Sequence, residues 1–354
     1  MEITRRSVGV LAGSAMTAAC TGKAFAAQTP PAFDPMPYVN PELRKLVPLL
    51  LRMTAAPLDR EALVKRRKAP QGLPPLAKPD WRVLTIPGPR GAPDVRIYII
   101  NDSAGGAPRP AILHAHGGGF VLGSAQGSLR TVQGAAQALD CVVVSVDYRL
   151  APDTPFPGAL EDNYAALKWL HAHAEELGVD VSRIAVMGES AGGGHAAMLA
   201  IAARDRGEIR LAYQALVYPM LDDRTGSTRK TPPYQGAIMW TPQNNRFGWS
   251  SFLGVEAGSP RVPYGSVPAR VQNLHGLPPT FIGVGSIDLF VDEDIEYARR
   301  LVDAGTSVTL NVVPGAFHSF DEIPGSPLAK PFKATLYSAL QEGFKATRPS
   351  EPNT

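Results

Sequence analysis

From residue 81 onward, short runs of aliphatic and β-branched residues alternate with longer stretches whose apolar positions recur every three or four residues. Apolar runs bounded by turn formers predict buried strands, and the longer period predicts helices packed against them. On this pattern strands fall at 81–86, 95–100, 111–115, 141–146, 183–187, 213–218, 280–284 and 308–313. Helices fall at 157–177, 195–203, 293–304 and 330–342, with Pro157 suited to a first turn and Gly178 to a C-terminal stop. Strands alternating with helices from residue 111 onward predict an α/β fold, a mostly parallel eight-stranded sheet with helices on both faces.

Two segments break the alternation. Residues 28–79 are proline-rich, with one helical stretch at 41–54 carrying Leu43, Leu46, Val47 and Leu50. Residues 221–277 are also proline-rich and hold Tyr234, Trp240, Phe247, Trp249, Phe252 and Tyr264. A solvated loop needs no such set of aromatics, and long irregular segments tend to be functional. The expectation is a small helical lid at 221–277 that, with the earlier segment, covers the carboxyl end of the sheet.

Composition narrows the partners. Of the 354 residues, 44% are hydrophobic and 19% charged, and the net charge of +3 is too small and scattered to suggest nucleic acid. No apolar run approaches the roughly 20 residues of a membrane span. Neither of the two cysteines, Cys20 and Cys141, joins a cluster at metal-ligand spacing, so no metal and no cofactor is expected. The N-terminus stands apart: Thr4-Arg5-Arg6-Ser7 precedes a short apolar run and then Ala24-Phe25-Ala26, the layout of a twin-arginine export signal. That places the mature protein in the periplasm or outside the cell. Ala18-Ala19-Cys20 also resembles a lipoprotein box, but Thr17 stands where such boxes usually carry Leu, which makes anchoring at Cys20 the minor reading. The expected layout is an export signal at 1–26, a cap segment at 27–80 and a catalytic domain at 81–354 with its lid at 221–277.

Chemistry enters at Gly188-Glu189-Ser190-Ala191-Gly192, set between a predicted strand and an alanine-rich helix. A serine at such a strained turn exposes its hydroxyl at the sheet edge, with a helix N-terminus aimed at it. The pentapeptide alone is a weak signal, because any α/β fold uses glycine-rich turns. A serine hydroxyl also needs a base. Of the seven histidines, His171, His173 and His195 fall in helices, His275 in the lid, His114 inside a strand and His116 in a glycine loop. His318 alone follows the last strand at its carboxyl end, and Asp288 follows the strand at 280–284 in the same way. Asp292 and Asp294 begin the next helix and suit N-cap or dipole roles instead. The order Ser190, Asp288, His318 is that of an α/β hydrolase. His116-Gly117-Gly118-Gly119-Phe120 supplies the third part: glycines there expose N–H groups, and Gly118, Gly119 and the N–H of Ala191 form the expected oxyanion hole. A phosphate-cradling loop would end in Gly-Lys-Ser/Thr, which this one lacks.

These stretches resemble the bacterial hormone-sensitive-lipase family of serine carboxylesterases. The resemblance rests on 116–120, Asp147-Tyr148-Arg149-Leu150-Ala151-Pro152, 188–193, Tyr218-Pro219-Met220-Leu221-Asp222-Asp223-Arg224, 288–293 and 314–320, in the family's order. It implies an α/β-hydrolase fold, Ser190 as nucleophile, His318 as base, Asp288 as acid and a helical cap over a pocket for short-chain esters. Glu189 replaces the family's usual Asp or Thr, and Asp153 its usual Glu. The partner expected is a small-molecule ester, and a homodimer is left open. A catalytically silent receptor on this scaffold lacks the need for an intact triad. A serine peptidase of this fold usually carries a large extra domain for which the chain has no room.

Overall fold

The computed structural model describes residues 33–53, 56–69 and 72–345. The expected export signal and Cys20 therefore lie outside the described residues. The described residues from Asp34 onward cluster as one unit built on an eight-stranded sheet of order β1-β2-β4-β3-β5-β6-β7-β8. The strands are β1 Trp81–Ile86, β2 Val95–Ile100, β3 Arg109–Ala115, β4 Val142–Asp147, β5 Val179–Glu189, β6 Tyr213–Val217, β7 Thr280–Gly285 and β8 Val308–Val313. β2 runs antiparallel to β1 and β4, and the other pairings are parallel. All eight strands were legible as apolar runs; only their ends differ, β5 most, since it begins at Val179.

The helices are α1 Val47–Met53, α2 Arg60–Lys68, α3 Leu129–Leu139, α4 Gly158–Ala172, α5 Ala174–Leu177, α6 Ala191–Arg206, α7 Pro242–Leu253, α8 Val291–Asp303 and α9 Ala329–Lys345. The single helix expected at 157–177 is two, parted at His173, and Pro157 takes the N-cap position rather than the first turn. Crossover helix α3 was not predicted at all. Its sequence holds Gly134 in the middle and has no Gly or Asn at its end; Ser128 stands at the N-cap but its side chain makes no capping bond, so the signal is weak.

The two faces of the sheet sort cleanly. In β4, Val142, Val144 and Val146 join one core cluster with Leu167 and Leu170 of α4 and Met198 of α6. Cys141 and Val143 point the other way, toward Leu129 and Val132 of α3 and Leu336 of α9. This period of two is what a doubly covered parallel sheet requires. Burial pushes the Cys141 thiol up to about 12, which leaves it an inert core group.

Both irregular segments close over the carboxyl ends of the strands. Asn40 donates from its backbone N–H to Gly315 and from its side chain to Pro314, in the loop after β8. Arg67 of α2 donates to the Val121 and Ala151 carbonyls at 2.8 and 2.6 Å. In the lid, α7 starts at Thr241, whose hydroxyl accepts from Asn244 N–H, with Pro242 at the first position and Gly254 at the C-cap. Phe120 lies between α7 and α6, stacked on Phe252 at 4.3 Å and edge-on to Trp249 at 4.8 Å.

His195 of α6 completes that aromatic cluster, 4.5 Å from Tyr148 and 5.0 Å from Phe120. Neither ring nitrogen has a hydrogen-bond partner, and burial pushes the imidazole down to about 3. A base whose folded pKa is depressed contributes stability that is present above its unfolded value, about 6.5, and lost as the pH falls. His195→Leu should therefore lose about 2 kcal/mol less stability than the parent between pH 7 and pH 5, read by urea unfolding at both pH values. Parallel losses in the two proteins would mean that His195 is not held neutral.

Candidate active site

Ser190 sits where β5 turns into α6. Its backbone has φ +58° and ψ −121°, a sparsely populated region that costs a non-glycine residue about 1–3 kcal/mol. The turn is held by its N–H on Val217 O (2.9 Å) and by its carbonyl, which accepts from Gly194 and Met220 N–H (both 3.0 Å). Such a turn fits only because the residues two places to either side, Gly188 and Gly192, lack side chains. A Cβ on Gly192 would lie 2.0 Å from the Ala115 carbonyl oxygen, and one on Gly188 would lie 2.3 Å from Gly192 backbone. Glycine here lets β3, β5 and α6 meet almost backbone to backbone.

Asp288 and His318 come from neighbouring loops that bond to each other. Ser286 N–H donates to Val313 O at 2.9 Å and Ile287 N–H to Ala316 O at 3.1 Å. The two side chains meet across this seam: His318 Nδ1 is 2.8 Å from Asp288 Oδ2, and His318 Nε2 is 2.9 Å from Ser190 Oγ. Asp288 is fully buried, and its other oxygen accepts from Phe290 N–H at 3.0 Å. A carboxylate on Nδ1 fixes the tautomer with the proton there, so Nε2 accepts from the serine hydroxyl. The imidazole is edge-packed between Tyr218 (4.8 Å) and Phe290 (5.2 Å).

The rival acids are placed elsewhere. The cap position of α8 belongs to Phe290, so neither Asp292 nor Asp294 caps that helix. Asp292 is exposed and accepts from Gln235 at 3.3 Å; Asp294 is buried with neither oxygen bonded, and burial pushes it well above the usual carboxylate range. Glu293, assigned no role by the sequence pattern, accepts from the Leu221 and Asp222 N–H groups at 2.7 and 3.0 Å. It joins the start of the lid to the helix after Asp288.

The glycine loop lies directly across from the serine. Gly118 and Gly119 have φ +127° and +60°, and a Cβ on Gly117 would sit 3.5 Å from Ser190 Cβ. The Gly118 carbonyl accepts from Val121 and Leu122, whereas no hydrogen bond among the described residues uses the Gly118 or Gly119 N–H. Ala191 opens α6, where an N–H has no intrahelical acceptor. These three donors share one neighbourhood with Ser190. His116 itself is structural: stacked on Tyr148 at 4.2 Å and pushed by burial down to about 4, it stays neutral.

His114, expected as a packed core residue, is buried but also bonded. Its Nδ1 lies 2.8 Å from Ser145 Oγ, and its Nε2 lies 2.9 Å from Glu189 Oε2, immediately before Ser190. Burial works against charge on Glu189, but His114 beside it holds the carboxyl below the ordinary glutamate range. Ser190 and His318 open into a cavity of about 300 Å³ walled by Gly118, Gly119, Tyr218, Met239 and Trp240. Among the described residues no group of side chains suits a metal ion, and no helix is long and apolar enough to cross a membrane.

Two glycines give opposite expectations. Gly192→Ala should cost about 1–3 kcal/mol of stability, because its Cβ meets backbone that cannot give way. Gly134→Ala, in the middle of α3 with nothing nearer than the Tyr337 hydroxyl at 3.9 Å, should gain up to about 1 kcal/mol. Denaturant midpoints of both variants check this; equal midpoints would contradict the close packing at Ser190.

Comparison with known proteins agrees with this geometry. Residues 112–322, from β3 through the His318 loop, match a model of the alpha/beta hydrolase fold. Esterase LipI of Mycobacterium tuberculosis is 36% identical over 246 residues, which is 68% of this chain and 76% of its own. Carboxylesterase NlhH of the same organism is 32% identical over 290 residues, 80% of this chain and 89% of its own. Among solved structures, a bacterial heroin esterase superposes with a TM-score of 0.77 at 36% identity, covering 88% of this chain and 100% of that one. With that match over residues 112–322 and these identities, the chain belongs to the α/β-hydrolase-fold family, in its hormone-sensitive-lipase-type group.

Proposed function

We infer that this carboxylic ester hydrolase cleaves short-chain esters through an acyl-enzyme, with Ser190 as nucleophile, His318 as general base and acid, and Asp288 as the carboxylate that orients the imidazole. The observation that carries the reading is the unbroken chain Asp288–His318–Ser190, with links of 2.8 and 2.9 Å, ending at the cavity beside the glycine loop. Ser190 Oγ attacks the ester carbonyl carbon while its proton passes to His318 Nε2. The carbonyl oxygen becomes an oxyanion facing the N–H groups of Gly118, Gly119 and Ala191. Collapse breaks the bond to the alkoxy group, which leaves as the alcohol with the proton from His318. A water then repeats the sequence on the acyl-enzyme, releasing the acid and restoring Ser190. Asp288 stays ionised throughout and stabilises the imidazolium.

The short-chain preference is supported by cavity size. About 300 Å³ is small for a ligand site, and Trp240 and Met239 form a wall on the lid side. The indole is fixed by its Nε1–H on Asn245 Oδ1 at 3.1 Å, and Asn245 in turn donates to Thr225 O at 2.8 Å.

Rates across nitrophenyl esters of graded acyl length should fall steeply beyond the short chains, because each misfitting methylene is worth about 1–3 kcal/mol of discrimination. A profile that climbs toward long, water-insoluble triglycerides would refute the compact pocket. For the acid, Asp288→Asn should lower kcat by roughly 10³- to 10⁴-fold with the fold retained. Asp292→Asn should leave turnover near the parent value and cost about 0.3–1 kcal/mol of stability, since its charge faces a helix N-terminus. Steady-state kinetics on the pair decide it: loss of turnover in Asp292→Asn with survival in Asp288→Asn would reverse the assignment.

A further inference from the structure

The imidazole of His318 rests on a residue outside the proposed triad. Tyr218 follows β6, with φ +36°, an uncommon backbone region for a bulky side chain. Its N–H is held on Gly283 O at 2.6 Å, and its side chain is fully buried. The ring meets the His318 imidazole edge-on at 4.8 Å, opposite Phe290. The hydroxyl donates to Asp321 Oδ1 at 2.9 Å. Asp321 is itself buried and lies three residues after His318, in the same loop.

We propose that Tyr218 and Asp321 are a pair of positioning residues for His318: the tyrosine ring is the wall that sets the imidazole's tilt, and Asp321 clamps that wall to the loop carrying the imidazole. The inference rests on the reading of His318 as the base. Without the clamp the ring of Tyr218 is held by packing alone, and its position against the imidazole is less closely set.

The clamp has a charge state. Burial first, and the neighbouring Glu322 second, push the Asp321 carboxyl up to about 7, against the opposing pull of Lys333 and the Tyr218 hydroxyl. The groups facing it are Tyr218 after β6, Glu322 in its own loop, Lys333 of α9 at 3.8 Å and, electrostatically, Tyr337 of α9 and Glu189 at the end of β5. Lys333 is shared, since it also pairs with Glu322 at 2.8 Å. A hydrogen bond to an ionised acceptor is stronger than one to a neutral carboxyl. Ionised Asp321 therefore holds Tyr218 firmly, and protonation near neutral pH slackens the hold. Loss of a proton from Asp321 thus raises activity, which adds an ionisation of its own to the acid limb of kcat.

Tyr218→Phe keeps the ring and removes only the hydrogen bond. It should lower kcat on the order of tenfold with KM little changed. Asp321→Ala should do the same, and Asp321→Asn, which still accepts from the hydroxyl, should restore part of the loss while its acid limb falls to the slope of one ionisation. An independent reading comes from NMR titration of the imidazole resonance that disappears in His318→Gln. In the parent it should show a second inflection near neutral pH, and in Asp321→Asn it should show none. If Tyr218→Phe fails to fold, the Asp321→Asn titration carries the test. An unaltered inflection and an unaltered acid limb in Asp321→Asn overturn the proposal. If the parent turns over no ester, the functional reading fails on its own while the NMR titration still judges the clamp.

Discussion

The Ala115 carbonyl oxygen at the end of β3 lies where a side chain on Gly192 would begin, 2.0 Å from the ideal Cβ position. That contact fixes the distance between two central parallel strands at the point where both end. β3 delivers the glycine loop and β5 delivers Ser190, so the spacing of serine and loop follows from how closely the two backbones approach. The unusual φ of Ser190 is the local cost of that approach. It is offset by three backbone hydrogen bonds on the serine and by a core in which β3 and β5 are covered on both faces. The seam between the β7 and β8 loops applies the same logic to Asp288 and His318: Gly285 leaves room for the Ala316 carbonyl, 2.1 Å from where its Cβ would be.

What the sequence made legible is what has a short, local cause. Strands announce themselves as apolar runs. Ser190, Asp288, His318 and the glycine loop were found because each follows a strand in an order that a parallel sheet brings to one edge. What it hid depends on distance or on a weak signal. Helix α3 has a glycine at its centre and a Ser128 N-cap whose side chain makes no capping bond, so its local signal is weak. His114 reads as a core histidine until β3 and β5 pair and set it beside Glu189, 75 positions away. Glu293 reads as one more acid at a helix start, yet its partners are N–H groups 71 and 72 residues upstream.

Charge is buried in the 221–277 segment as well as around Asp288. Asp222 pairs with Arg224 at 2.8 Å and Arg229 at 3.3 Å, and Asp223 pairs with Arg270 at 2.7 Å. Such pairs roughly break even against a well-packed apolar alternative, but losing one partner of a pair leaves an uncompensated charge. They therefore make the lid's conformation specific more than they make it stable. Burial pushes Glu293 and Asp294 well above the usual carboxylate range, because a carboxylate costs more than a carboxylic acid in the same interior.

The 221–277 segment packs closely on the glycine loop. A Cβ on Gly248 of α7 would lie 2.6 Å from the Gly119 carbonyl oxygen, and one on Gly119 would lie 2.2 Å from the Trp240 ring. Phe120, the next residue, is stacked on Phe252 of the same helix. The residue proposed to donate to the oxyanion thus touches the indole that bounds the cavity on one side and the helix that carries the lid on the other. Moving Trp240 to admit a longer acyl group relaxes Gly119 with it, because close-packed interiors transmit a displacement instead of absorbing it. In this arrangement pocket size and the geometry at the carbonyl oxygen are one variable, so a change that enlarges the pocket also acts on the chemical step.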